Sequence, residues 1–280
     1  MKRPDSRYRA AAGWRVAEGA LYGVFVVVLC YLVVPSVIVV PMSFSASRFL
    51  QFPPPELSLR WYRAYLGTRE WTEATWNSIQ VATATAVLAT GLGTLAALGL
   101  RRRFWGRSMV YGLLISPLVI PVIVLSVALY LYFAPLQKLG LPLIGRRIGL
   151  ILAHTVLAIP FVVVSVSASL KVLDEAMERA AQSHGASPGV AYRRVTFPLI
   201  RPGVVAGGLF AFVTSFDEAV AAIFLGGPAA RTLPLKMWEG VRLEVDPTIA
   251  AVSSLLVGVT IALVAAIEVL RRRSARLAGQ

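Results

Sequence analysis

One cysteine, two histidines and 14 acidic side chains are all that 280 residues offer in those chemistries. Cys30 stands alone inside an apolar run, so an internal disulfide is impossible and a cysteine-held metal cluster is excluded. His154 and His184 fall on separate predicted elements, and no H-E-x-x-H pairs a histidine with a carboxylate. No G-x-x-x-x-G-K-[ST] occurs, and none of the four lysines follows a glycine, so the chain has no phosphate-binding loop of its own. No serine sits in a G-x-S-x-G turn. The residues therefore name no catalytic group and no metal ligand. Charge is scarce too: charged residues make up 15%, against about 25% in soluble domains.

Apolar residues fill the space left, at 57% of the chain, and they come in long uncharged runs. A bilayer accommodates such runs and a soluble core does not. Six spans are predicted, at about 20–42, 77–100, 109–133, 148–170, 204–225 and 248–270, together forming a membrane domain over 20–270. A basic segment precedes them over 1–19 and a basic tail follows over 271–280. The first run is too long for a signal-peptide core. Pro117 and Pro121 predict a kink in the third span, with neighbouring helices satisfying the freed carbonyls. Between the first two spans, Trp61, Tyr62, Tyr65, Trp71 and Trp76 suit an interfacial aromatic belt around a short surface-lying segment. The predicted fold class is an all-α integral membrane protein with six transmembrane helices.

The net charge of +14 points to orientation rather than to nucleic acid, because the basic residues sit at the ends of apolar runs. Of 28 Lys and Arg residues, 18 fall in one alternating set: the N-terminus, Arg101–Arg107, Lys171–Arg201 and the tail beyond Leu270. The other set of loops holds 10. By the positive-inside rule the first set is cytoplasmic, which places both termini there.

Within that first set, 174–203 is a long polar interruption with the grammar of two short helices and a corner. Asp174 to His184 is rich in Ala and Glu and carries no β-branched residue, so it reads as helix. Gly185 supplies the left-handed residue that ends it. Ser187 and Pro188 read as the N-cap and first residue of a second helix. Pro198 and Pro202 are expected to stop that helix before the next apolar run. The fifth span opens on Gly203-x-x-x-Gly207-Gly208, a spacing that lets helices approach closely, within the subunit or against another. It carries the adjacent acids Asp217 and Glu218, expected in its middle or outer half. Charges inside a span are costly, so they either line a pathway for a cationic solute or form a helix-end pair at the outer interface. His154 is read as a structural hydrogen-bonder.

The 174–203 stretch resembles the cytoplasmic signature loop of bacterial ABC-importer permeases, E-A-A, three residues, Gly, nine residues, I-x-L-P. Ala180, Ala181, Gly185 and Pro198 match at the family spacing. Arg179 stands where the glutamate belongs, with Glu178 beside it, and Val195 and Phe197 replace Ile and Leu. LSLRWY before the second span, Asn77–Ser78, SFDE, TLPLKMWEGVR and DPTIAAVSSLL are similar to the spermidine/putrescine-type permeases, in particular their second permease subunit.

The resemblance implies the type I importer fold and a transport subunit rather than an enzyme, in the bacterial cytoplasmic (inner) membrane. It implies no cofactor on this chain, since ATP and Mg belong to separate P-loop ATPase subunits. The docking loop would comprise Glu178, Ala180 and Ala181, the corner Gly185, Ser187 and Pro188, then Tyr192, Arg193 and Pro198. The implied partners are the ATPase, a second homologous permease subunit, and a periplasmic or extracellular solute-binding protein, with the lipid bilayer around them. Asp217 and Glu218 become candidates for the pathway of a polyamine. The alternative is a stand-alone ion- or proton-coupled carrier for a small cation, which has no need of a capped helix–corner–helix.

Overall fold

Helix–helix association in lipid gains little from burying apolar surface, so it depends on how closely backbones approach and how well side chains interlock. The computed structural model describes residues 6–243 and 246–261. Among these the secondary structure is helical apart from one isolated bridge between Ser45 and Leu57. The chain divides into two compact units, residues 69–239 and the two flanking segments together.

The larger unit is built around α6 (Arg147–Val172), with α3 (Arg69–Arg101) and α9 (Phe197–Phe216) packed against it and against each other. Small residues make this possible. A Cβ added at Gly93 of α3 would stand 2.7 Å from the Val162 side chain of α6. One at Gly207 of α9 would stand 2.9 Å from the Val162 backbone, and one at Gly203 would collide with Ser169. Ser165 Oγ donates to the Gly203 carbonyl at 2.9 Å, a polar tie between the same two helices. The Gly203-x-x-x-Gly207 spacing is thus consumed inside this chain. Val162, Val166, Ala158, Ala89, Ala211 and Ile200 complete the fully buried core around it.

A second cluster joins Phe133 of α5 (Val122–Lys138) to Leu150 of α6 and to Ala222 and Leu225 of α10 (Val220–Leu225). The region read as one kinked third span is two helices. α4 (Arg107–Ile115) runs through a 3₁₀ turn, and α5 departs at 105° to that combined segment. Pro121 adopts an extended backbone (ψ 130°) at the break, and Pro117 lies in the 3₁₀ turn. Two rings without N–H groups, four residues apart, do more than bend a helix.

The smaller unit contains α1 (Ser6–Ser43), α2 (Arg60–Gly67) and α12 (Thr248–Ile261). Tyr62 Oη bonds Ser43 Oγ at 2.6 Å and Ser254 Oγ at 2.7 Å, tying the three helices at one point. From Glu18 onward α1 is apolar and exposed along most of its length. The expected aromatic belt is only partly an exterior feature: Trp76 is exposed, but Trp71 is buried in the larger unit with Lys236 Nζ 5.6 Å from its ring centre. The indole packs because its neighbour's ammonium satisfies the ring face.

By length and composition four helical segments suit a bilayer: Glu18–Ser43, Arg69–Arg101, Arg147–Lys171 and Pro188–Phe216. The bent α4–α5 pair makes a fifth if counted as one. α12 is shorter, and the expected remainder of the sixth span, with the basic tail, lies outside the described residues.

Because Gly203 and Gly207 face backbone and short side chains of α6, Gly207→Leu is expected to cost about 1–3 kcal/mol through overpacking. Thermal unfolding in detergent should register it as a lowered midpoint. Gly91→Leu, where added carbon meets open space, is the control that should change little.

Candidate functional site: the corner between α7 and α9

α7 (Glu175–Ser183) begins on Asp174, whose Oδ1 accepts from the Ala176 N–H at 2.8 Å. Its end is a complete Schellman closure. Gly185 takes φ 87°, its N–H donates to the Gln182 carbonyl at 2.9 Å, and the Ala186 N–H reaches the Ala181 carbonyl at 3.1 Å. Ser187 then extends the chain (ψ 156°) and Pro188 opens α8 (Pro188–Ala191). Ser187 occupies the N-cap position without a side-chain cap bond; the restart relies on proline's preset φ alone.

The expected stop at Pro198 and Pro202 does not occur. The helix runs on from Pro188 to Phe216. Tyr192–Thr196 is a π-helical turn, and Pro198 follows in the first turn of α9. Widening the turn immediately before Pro198 relieves the clash a proline ring makes with the carbonyl four residues back. Pro202 sits inside α9, where it removes one further hydrogen bond without ending the helix.

Around the corner the candidate side chains divide by face. Ala180, Gly185, Ser187, Pro188 and Arg193 are exposed, with Val190 40% exposed between them. Ala181 and Tyr192 are half-buried, and Pro198 is exposed at the start of α9. Glu178 has a role that reading along the chain did not find. Its Oε2 accepts from Arg101 Nη1 at 2.6 Å, with only 22% and 19% of the two side chains exposed. The pair fastens α7 to the last residue of α3. Its one sequence signal was that both residues belong to the basic-rich set of loops on one predicted side. Beside the pair, a cleft of about 730 Å³ opens between the end of α3, α7 and the π turn.

Asp217 and Glu218 do not lie within a continuous helix. α9 ends at Phe216 and α10 starts at Val220. Asp217 is the exposed residue closing α9, its N–H donating to the Val213 carbonyl at 3.0 Å. Glu218 folds back so that Oε1 accepts from the Ala221 N–H at 3.0 Å. The break arises because Glu218 satisfies a donor at the start of α10 that a continuous helix would have used internally. One turn before it, Ser215 Oγ and His154 Nδ1 are 2.8 Å apart, both fully inside the bundle, so His154 joins α6 to α9.

At the other end of α3, Asn77 and Ser78 hold the turn leading into α11 (Leu233–Leu243). Asn77 Nδ2 donates to the Arg231 carbonyl at 3.0 Å, and Ser78 Oγ accepts from the Leu233 N–H at 2.8 Å. Glu70 meets Lys236 at 2.5 Å in the same region.

A bundle of apolar helices with an exposed, capped corner leading into one of its central helices is the architecture of a transporter's membrane component. The chain belongs to the binding-protein-dependent transport system inner membrane component family, whose family model matches residues 89–276. It is 32% identical over 254 residues to the spermidine/putrescine transport system permease protein PotC of Escherichia coli K12, covering 89% of this chain and 93% of that one. It is 34% identical over 231 residues to the putrescine transport system permease protein PotI of the same strain, covering 81% and 82%. A molybdenum transport system permease protein, ModB of Mycobacterium bovis, is 35% identical over 199 residues, covering 67% and 74%. The fold matches that of a bacterial ABC transporter involved in import of the polysaccharide alginate, with a TM-score of 0.71, 15% identity and coverage of 95% and 96%. The resemblance read from the signature loop and its flanking motifs is therefore sound: this is an all-helical ABC-importer permease fold.

Glu178→Gln is expected to loosen α7 by about 1–3 kcal/mol, the range for a charged hydrogen bond removed from a partly buried site. Amide hydrogen exchange over residues 175–186 should accelerate. A double-mutant cycle with Arg101→Gln should return a coupling energy above about 0.5 kcal/mol if the pair acts as a unit.

Proposed function

We propose that the chain is a permease subunit of an ATP-driven, binding-protein-dependent importer and forms the pathway for a small solute. It crosses the bacterial cytoplasmic (inner) membrane six times with both termini in the cytoplasm, and carries out no catalysis itself. The single observation that carries the reading is the exposed Schellman corner at Gly185, at the spacing of the family's signature loop. α8 and the π turn, with Tyr192 and Arg193, enter a cleft on a separate P-loop ATPase, which holds the ATP and Mg. A second homologous permease subunit completes the pathway, most simply as a heterodimer, and a periplasmic or extracellular binding protein delivers the solute.

The solute is a cationic polyamine of the spermidine/putrescine class. Kinship with PotC and PotI over more than four-fifths of the chain supports this, as does the exposed carboxylate of Asp217 at the end of α9. Asp217, rather than Glu218, faces the solute, because Glu218 already accepts a backbone bond in α10. ATP-driven closure of the ATPase pair moves the corner, and the unbroken helix from Pro188 to Phe216 carries that movement to Asp217.

Co-expression with a candidate ATPase and binding protein, followed by reconstitution, tests the assignment. ATP-dependent putrescine uptake is the expected result; uptake driven by an ion gradient without ATP would sink it. Gly185→Val forces a β-branched residue into the left-handed region at a cost of about 1–2 kcal/mol. It should separate ATP hydrolysis from uptake, and unchanged coupled uptake would refute the docking role. Asp217→Asn should weaken putrescine uptake about tenfold, equivalent to about 1.4 kcal/mol, while the complex still assembles.

A further inference from the structure

A second cleft, of about 950 Å³, lies between the end of α3, the start of α4 and the last turns of α6. Its volume falls within the range of about 300–1,000 Å³ common for small-molecule sites. Its lining has two zones. At the charged end stand Arg101, Arg107 and Lys171, with Tyr111 one turn further along α4, and none of the lining residues among those described is a carboxylate. Farther in along α3 and α6 the wall is mostly apolar, with Ala97, Val164 and Ala168 and the hydroxyl of Ser167 among them. Val164 lies seven residues before Lys171 on α6, about 10 Å along the axis at a rise of about 1.5 Å per residue. The cleft therefore runs from a cationic rim toward the interior of a membrane-spanning helix.

We propose that this cleft binds one anionic phospholipid, the phosphate between Arg107 and Lys171 and the upper acyl chain along Val164 and Ala168. The proposal rests on the cytoplasmic placement of Arg101–Arg107 and Lys171 given above. Both halves of the lining are needed to select this occupant. A soluble phosphate has no use for the apolar wall, and a neutral lipid has no use for the cations. An acidic protein segment would meet the rim but not a wall that descends along a bilayer-spanning helix. Arg101 is already held by Glu178, whereas Arg107 and Lys171 have no ion pair among the described residues. Basic pockets between helices at the cytoplasmic boundary are the usual place for anionic headgroups. Because Arg101 belongs to both this cleft and the Glu178 pair, a bound lipid would sit one side chain away from the docking corner.

The test is native mass spectrometry of the full chain in neutral detergent, with equal amounts of phosphatidylglycerol and phosphatidylcholine added. Wild type should retain phosphatidylglycerol preferentially. Arg107→Gln combined with Lys171→Gln should reduce that preference about 30-fold, from about 1 kcal/mol per cation. Ala168→Trp, which fills the apolar zone and leaves every charge in place, should also abolish retention. All three residues are exposed, so the α3–α6–α9 core is left intact. Equal retention of the two lipids by wild type, or retention unchanged in both variants, overturns the proposal. So does displacement of phosphatidylglycerol by excess inorganic phosphate, which would mark a soluble-anion site, or by an added partner ATPase, which would mark a protein interface. The readout needs neither ATP nor a solute, so failure of polyamine uptake leaves it standing. Labelling of Ser108→Cys from the outer side of sealed vesicles would instead refute the membrane placement beneath it.

Discussion

Close approach of three helix backbones at α6 is the constraint on which the larger unit depends. Val162 is pressed by Gly93 from α3 and by Gly207 from α9, and neither neighbour has room for a Cβ. In lipid this contact has no large hydrophobic term behind it, so dispersion at short range and the Ser165–Gly203 hydrogen bond must hold the helices together. The arrangement leaves outward faces of α3 and α9 apolar and exposed, as at Leu92, Leu95, Val205 and Leu209, which suits a surface that meets lipid or another subunit.

The corner is attached to that core in two ways. Along the chain, the helix from Pro188 to Phe216 runs without a stop, a length of 29 residues and thus about 43 Å at about 1.5 Å per residue. Across space, Glu178 grips Arg101 at the end of α3. Both attachments lead to helices packed on α6. A displacement at the proposed docking surface would therefore reach the core through two stiff connections, not through a loose loop. The π turn is the one irregular point in the longer connection, and it is also what lets a helix continue through Pro198.

Much of this was legible along the chain because it follows from local chemistry. A left-handed residue was needed at the corner and Gly185 was there; Pro188 had the φ of a first helical residue. Those choices involve a few neighbouring residues, and tertiary context had no reason to override them. The misreadings share a different origin. Pro198 and Pro202 were expected to terminate a helix, yet a proline's cost depends on the hydrogen bonds around it, and the π turn rearranged those. Asp217 and Glu218 were left between a place inside the fifth span and a helix-end pair, a choice that turned on Glu218 finding a backbone donor in α10, so that α9 ends at Phe216. Trp71 looked interfacial until Lys236, 165 residues away in sequence, came to lie over its ring.

Sequence alone determined the class: a multi-helix membrane protein with a helix–corner–helix between two apolar runs and a family pattern across it. Hydropathy, turn chemistry and motif spacing are one-dimensional properties, and they survive being read in one dimension. Only the tertiary structure decided which residues act together. It turned Gly203 and Gly207 toward α6, joined Glu178 to Arg101, set His154 against Ser215, and lined a two-zone cleft with residues from three helices. Each of these depends on the rotation of one helix about its axis relative to another, which packing sets and no local residue pattern encodes.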